Sequence, residues 1–451
     1  MGNIIVREGD VQGAIDDCAA GGGGAVVLPA GRWESGPLEL RSGVELRLEA
    51  GSVLAFTDDF SAYRPVWTRW EGVRCHALHP LLWAYGCRNV SVTGSGILDG
   101  RGAAWWAAVR EARRLGRERP LTELELELAE LNRGAGGQPS GGGGRGTQFL
   151  RPPLLQFMEC EGVRLEGISL VDSPFWTVHP LFCKDVRIRG ITVVNPPEAP
   201  NTDGLDIDSC EDVQVEDCRF DVGDDCLCLK SGSGPDGREV GLPTRGVSVS
   251  GCLMRSGHGG VVIGSETAGG VRGATFRDCV FDETDRGIRV KSRRGRGGRI
   301  EDLEFRGIEM RGVLCPLVVN MYYRCGSEAE PDFLFSLGAR PRDEGTPALS
   351  GLRVADCRAT GIRAAAALVA GLAESPIEGL HVSDCDFSLA QAAHVPADQA
   401  AMSRGLPPAT GRGMRFFHVK GGKLRGVRVL DGSGSPLPPE IGPGADLSFS
   451  D

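Results

Sequence analysis

The sequence lacks any apolar run of about 18 residues, so no segment reads as a membrane-spanning helix. It lacks a basic excess: 60 acidic residues stand against 50 lysines and arginines, for a net charge of -10. Nucleic acid is thereby excluded as the default partner, because phosphate backbones are held by positive charge. Met1-Gly2-Asn3-Ile4-Ile5-Val6-Arg7-Glu8 carries no basic region running into an apolar stretch and a cleavage site. The expectation is a cytoplasmic protein, or a secreted one if the true start lies upstream. The fifteen cysteines are odd in number and form no Cys-x-x-Cys pairs with partner histidines, which argues against a disulfide framework and against zinc. They read as reduced packing groups, the Cys226-Leu227-Cys228 pair included. Aromatic residues are few, and the 67 glycines show no period of three, so a collagen fibre is excluded and many tight turns are implied.

What is present is a repeat. A turn residue, alternating apolar and polar residues, then often Gly or Asp-Cys and another apolar run recur along the chain, the pattern of paired short strands. Its first apolar position falls at Val90, Val163, Val186, Val213, Val247, Ala274, Leu303, Leu352, Leu380 and Val427. The spacings cluster near 23 to 34 residues or about twice that, the doubles being read as missing copies. Copies of short strands without intervening helices predict an all-β parallel β-helix running as one domain over 1–451. Cys218, Cys252, Cys279, Cys357 and Cys385 share one place in their copies and should stack inside it. Residues 9–19 read as a short N-terminal capping helix, needed because an open solenoid end would recruit other strands. Residues 103–146 read as a helical and glycine-rich insertion, a flap or a solvated helix with linker, and 390–451 as a C-terminal closing segment.

The densest polar signal is Asn201-Thr202-Asp203, Gly223-Asp224-Asp225, Gly257-His258-Gly259 and Arg289-Val290-Lys291, each in its own copy. Similar offsets from the repeat markers place the four on one face, with coils about 4.8 Å apart. Like charges at that distance raise the pKa of one carboxyl, which keeps a general acid protonated beside an ionised base. Two carboxylates in split roles are what glycosidic hydrolysis requires. His258 fits a proton-tuning role. Arg289 and Lys291 open a basic run in an acidic chain and fit a sugar carboxylate, favouring a uronic-acid polymer. His76 and His79 lack a third ligand and read as cleft wall or core. Trp105, Trp106 and Trp176 fit sugar stacking or core burial equally.

These four motifs, in this order, resemble the polygalacturonase-type glycoside hydrolases of family 28. Gly94-Ser95-Gly96-Ile97-Leu98-Asp99-Gly100 and Ser173-Pro174-Phe175-Trp176 are weaker matches, and the resemblance spans roughly residues 10–390. Val290 stands where the family usually has isoleucine. The resemblance implies a right-handed β-helix that cleaves α-1,4-galacturonosidic bonds of polygalacturonate or oligogalacturonides with inversion, without cofactor or metal. By similarity Asp224 is the general acid, Asp203 and Asp225 hold and activate water, and His258 tunes the acid. Asn201, Arg289, Lys291 and Tyr323 serve the substrate, with Tyr322 as the alternative to Tyr323. The expected partner is a galacturonate-containing pectic chain, with neither nucleic acid nor membrane. The missing export signal favours trimming of imported oligomers from chain ends, the 103–146 insertion closing one end of the groove. Rhamnogalacturonan or xylogalacturonan hydrolysis, a calcium-dependent pectate lyase and a non-catalytic carbohydrate-binding β-helix are the alternatives.

Overall fold

The computed structural model describes residues 2–7, 9–134, 145–325, 331–392 and 395–451, and most of the glycine-rich run from Gly134 to Gly146 lies outside them. The chain forms two compact units, Met1–Asp224 and Asp225–Asp451. Among the described residues no helix is long and apolar enough to cross a membrane.

In the first unit a short strand, Gly2–Ile5, pairs with Gly24–Leu28, and between them lies the expected helix, Val11–Ala20, whose first turn is capped by Asp10 accepting from the Gly13 amide. Each following coil contributes three short strands. Leu155–Met158, Glu161–Glu166 and Ser169–Val171 form one coil and pair in parallel with Val178–Leu181, Lys184–Arg189 and Thr192–Val194 of the next. Leu205–Asp208, Glu211–Glu216 and Arg219–Val222 continue the stack. The corner after the second strand needs one left-handed residue, supplied by Gly167, Gly190 and Asp217. Glycine and aspartate tolerate that conformation best, which explains the recurring Gly or Asp at this point of the repeat. Inward side chains such as Val163, Val186 and Val213 are buried, each worth about 1.5–3 kcal/mol of transfer free energy. The chain is a right-handed parallel β-helix, as parallel crossovers of this hand favour.

The second unit is built the same way. Asp225–Lys230, Gly259–Gly264, Arg286–Lys291, Cys315–Asn320, Ala367–Ala370 and Met414–Phe417 are successive parallel strands of one sheet. Further coils run through the 390–451 segment, where Gly422–Leu430 pairs with His381–Leu389 and with Leu447–Ser450.

Three details of the repeat differ from expectation. The doubled spacings are not missing copies: Val90 pairs directly with Val163, and Leu303 directly with Leu352. The extra residues leave the coil as excursions at a corner, where added loop length costs little because closure entropy grows only logarithmically. Val427 is not the counterpart of Leu380. It pairs with Cys385, and the register His381↔Lys423 gives Leu380's rung to Gly422, which has no apolar side chain to reveal it. The cysteine stack is broken: Cys252 contacts Cys279 and Cys357 contacts Cys385, but the intervening rung is Ile308, an equally good filler of the inward position. A second stack, Cys87, Cys160, Cys183 and Cys210, went unforeseen. None of the fifteen cysteines is in a disulfide.

The 103–146 insertion contains two helices, Ala103–Arg114 and Glu123–Leu131, the latter with a Thr122/Glu125 capping box. It is docked. Trp105 is fully buried against Phe60, Tyr63 and Phe149, and Trp106 donates to the Ser173 carbonyl. These tryptophans and Trp176 are buried packing groups.

Candidate active site

In the first unit, Asn201, Thr202 and Asp203 occupy the loop leading into Leu205–Asp208. The Asp203 and Gly204 carbonyls accept from Thr177 and Val178, which fixes the loop to the neighbouring coil. Asp203 is buried and Asp224 half-buried. Gly223, just before Asp224, lies so close beneath the 196–202 loop that a Cβ would meet the Pro196 and Ala199 carbonyls at 2.6 and 2.5 Å and Thr202 Oγ1 at 2.9 Å. Only glycine allows that approach, and it holds the Asp224 turn against the loop that carries Asp203.

Arg151 organises this loop and was missed in the sequence. Its guanidinium, entirely buried, donates to Asn201 Oδ1 at 2.9 Å and to the Pro174 and Pro200 carbonyls at 2.7 and 2.8 Å. Desolvation draws its pKa down to about 9, helped by Arg113 and opposed by Glu71, Asp203 and Asp224. Nothing but its place just ahead of Leu155–Met158 could have signalled it. Asn201 therefore acts on the loop through Arg151.

The outward face of the first unit's sheet is covered by a hairpin, Pro65–Trp70 and Val73–Leu78. Arg69 reaches Asp208 at 2.7 Å with both side chains fully buried, and Ser209 Oγ at 2.9 Å. Thr68 donates to Gln156, which contacts His179. Burial would raise the Asp208 carboxyl, but Arg69 and His179 pull it below the ordinary range. Trp70 stacks on Phe175 and donates to the Arg151 carbonyl, so the hairpin ends against the residue that holds Asn201. His76 and His79 belong to this cover and its flank: His76 packs edge-on to Trp67, and His79 contacts the Pro80 carbonyl and Glu39.

In the second unit, Asp225 lies beside Gly259, whose missing side chain lets Asp225 meet Arg289. Arg289 donates to Oδ1 at 3.2 Å, Lys291 to Oδ2 at 2.6 Å, and the Cys228 thiol lies 3.6 Å from Oδ2. All four side chains are buried. Burial alone would raise the Asp225 carboxyl, but the charges of Lys291 and Arg289 hold it well below the usual carboxylate range. Lys291 is correspondingly raised. Asp225 is thus an ionised acceptor. Tyr323 faces both cations, its ring centre 5.5 Å from Arg289 and 5.4 Å from Lys291, and burial pushes its hydroxyl up to about 12. Tyr322 turns instead toward Arg294. His258 is exposed in the turn preceding Gly259. Residues 397–404 strap this side of the unit: Arg289 contacts Met402 Sδ, Arg286 donates to the Ala400 and Gln399 carbonyls, and Tyr323 bridges to Ser403.

Comparison with known proteins identifies the family of the chain. The family model of Glycosyl hydrolases family 28 matches residues 139–332. An exopolygalacturonase structure from Thermotoga maritima is 32% identical, with a TM-score of 0.71, covering 83% of this chain and 82% of that one. A probable polygalacturonase of Vitis vinifera is 28% identical over 398 residues, 86% of this chain and 72% of that protein. An endo-polygalacturonase of Pectobacterium carotovorum subsp. carotovorum is 27% identical over 333 residues, 69% of this chain and 71% of its own length. The chain belongs to Glycosyl hydrolases family 28 and is a polygalacturonase-type glycoside hydrolase.

Proposed function

We propose that the protein hydrolyses α-1,4-galacturonosidic bonds of oligogalacturonides with inversion, releasing sugar from chain ends. The observation that carries this reading is the buried cluster of Asp225, Arg289 and Lys291: a carboxylate kept ionised as base, beside cations suited to a uronate. In this reading Asp224 protonates the leaving oxygen, Asp203 and Asp225 hold and deprotonate the attacking water, and His258 tunes the acid. Arg289, Lys291 and Tyr323 bind the galacturonate carboxylate and ring, and Asn201 supports the loop. Chain-end action is supported by the hairpin that covers the first unit's sheet face up to the Asn201 loop, and by the exopolygalacturonase relative from Thermotoga maritima.

Incubation with oligogalacturonides in EDTA tests the reaction class. Reducing ends should appear without absorbance from an unsaturated product. Inhibition by EDTA or a rise in that absorbance would identify a metal-dependent lyase instead.

The Asp225 cluster also predicts a pH effect. Lys291→Met removes the largest charge opposing burial, so the Asp225 pKa rises and less base is ionised at a given acidic pH. The acidic limb of kcat/KM should therefore move to higher pH. An unmoved limb in the variant would remove Asp225 from the role of base.

A further inference from the structure

The second unit holds another group of buried charges that the catalytic assignment does not use. Lys230 ends the strand Asp225–Lys230, and the registers Leu229↔Ile263 and Gly264↔Lys291 put Lys230, Gly264 and Lys291 on one column. With strands about 4.8 Å apart, the two lysine backbones stand roughly 10 Å apart, flanking a residue with no side chain. The gap is enforced: a Cβ on Gly264 would meet the Lys291 carbonyl at 2.3 Å.

Glu266 follows this gap. Its Oε2 accepts from Lys230 Nζ at 3.0 Å, and its Oε1 accepts from Ser265 Oγ at 2.9 Å while lying 3.5 Å from Arg296 Nη1. Burial would raise this carboxyl, but Lys230, Arg296 and Lys291 hold it well below the ordinary range. One carboxylate thus answers to three cations, and Lys291 is already committed to Asp225. Arg296 has only the long contact to Glu266, and its Nε is buried without a partner among the described residues. Its side chain is 8% exposed, against 9% for Lys291, so both are equally open to a ligand.

We propose that Arg296 and Lys230, set around the space over Gly264 and oriented by Glu266, form a second carboxylate site that takes a further uronate of the same substrate chain. The proposal rests on the function proposed above. A guanidinium with an unfilled N–H matches a carboxylate oxygen in charge and geometry, which the hydroxyls of a neutral sugar do not. Glu266 leaves the group cationic rather than neutral and sets the direction in which Arg296 points. The site would make the enzyme select chains with consecutive free carboxylates.

Calorimetric titration of the intact chain, carrying Asp224→Asn to prevent turnover, with trigalacturonate and with its fully methyl-esterified form tests this. Arg296→Gln should weaken trigalacturonate binding by about tenfold, the loss of one charge-assisted contact. Binding of the ester should not change, and Arg296→Lys should recover part of the loss. Lys230→Gln, read in parallel with thermal melting, should give the same selective loss, so that a folding defect at one position does not decide the matter. Equal affinities for trigalacturonate in Arg296→Gln, Lys230→Gln and the parent overturn the second site. If the otherwise unaltered enzyme also releases no reducing ends from oligogalacturonides, the proposed function has failed as well, whereas normal release with equal affinities sinks this site alone.

Discussion

Asp224→Asn should lower kcat on oligogalacturonides by about 10²- to 10⁴-fold, the range for loss of a positioned general acid, with no fall in melting temperature. Asparagine keeps the size and hydrogen-bonding capacity of the side chain and removes only the proton it would deliver. Asp224 is half-buried, its turn is set by the backbone approach of Gly223 to the 196–202 loop, and its charge is only the smallest of those that support the buried Arg151, so its loss should cost the fold little. A galacturonide with an acidic phenol as leaving group needs little protonation and should be affected far less. Asp225→Asn provides the contrast: it leaves Arg289 and Lys291 buried without their carboxylate, which should cost about 3–5 kcal/mol of stability in addition to activity. If Asp224→Asn retains full activity on oligogalacturonides, another group is the acid.

The parts of this arrangement legible in the sequence share a physical character. Motifs confined to one strand and its turn, such as Gly223-Asp224-Asp225 and Arg289-Val290-Lys291, could be read because a coil repeats and its register converts sequence offset into proximity. Arg289, Lys291 and Asp225 meet as the offsets implied. The capping helix was visible as a short amphipathic stretch stopped by the glycines at 21–24, and its Asp10 cap emerged only in the structure. What could not be read depends on chain leaving the coil. The hairpin 65–78 has no repeat to announce it, and Arg69 finds Asp208 139 residues away. Arg151 likewise sits in a connection, where neither period nor composition marks a buried guanidinium. The first coils were overlooked for a related reason: Gly24–Leu28 and Val44–Leu48 pair in register ahead of Val90, but their corners lack the Asp-Cys signature. Ile308 shows the converse limit, since an inward rung specifies an apolar volume and not a cysteine.

Arg69→Ala should be the most damaging substitution remote from the carboxylates proposed as catalytic. Asp208 would be left fully buried without its guanidinium, a loss of about 3–5 kcal/mol measured by denaturant unfolding. The sign of its pH dependence follows from linkage. Asp208 is held below its unfolded pKa, so the stability it contributes is fully present above the ordinary carboxylate pKa and is lost as pH falls through the folded value. The gap between parent and variant should therefore be widest near neutrality and narrow in acid, where the aspartate is protonated in both. The hairpin that Arg69 pins also covers the sheet face leading to the Asn201 loop, so loosening it should change the products as well as the stability. The release of single terminal residues proposed above should give way to a ladder of mid-sized oligomers from polygalacturonate, most clearly when residues 65–78 are replaced by a short turn. A hairpin deletion that stays folded and still releases only terminal residues would show that chain-end action has another cause. A ladder from the parent enzyme itself would show that the cover does not block the chain.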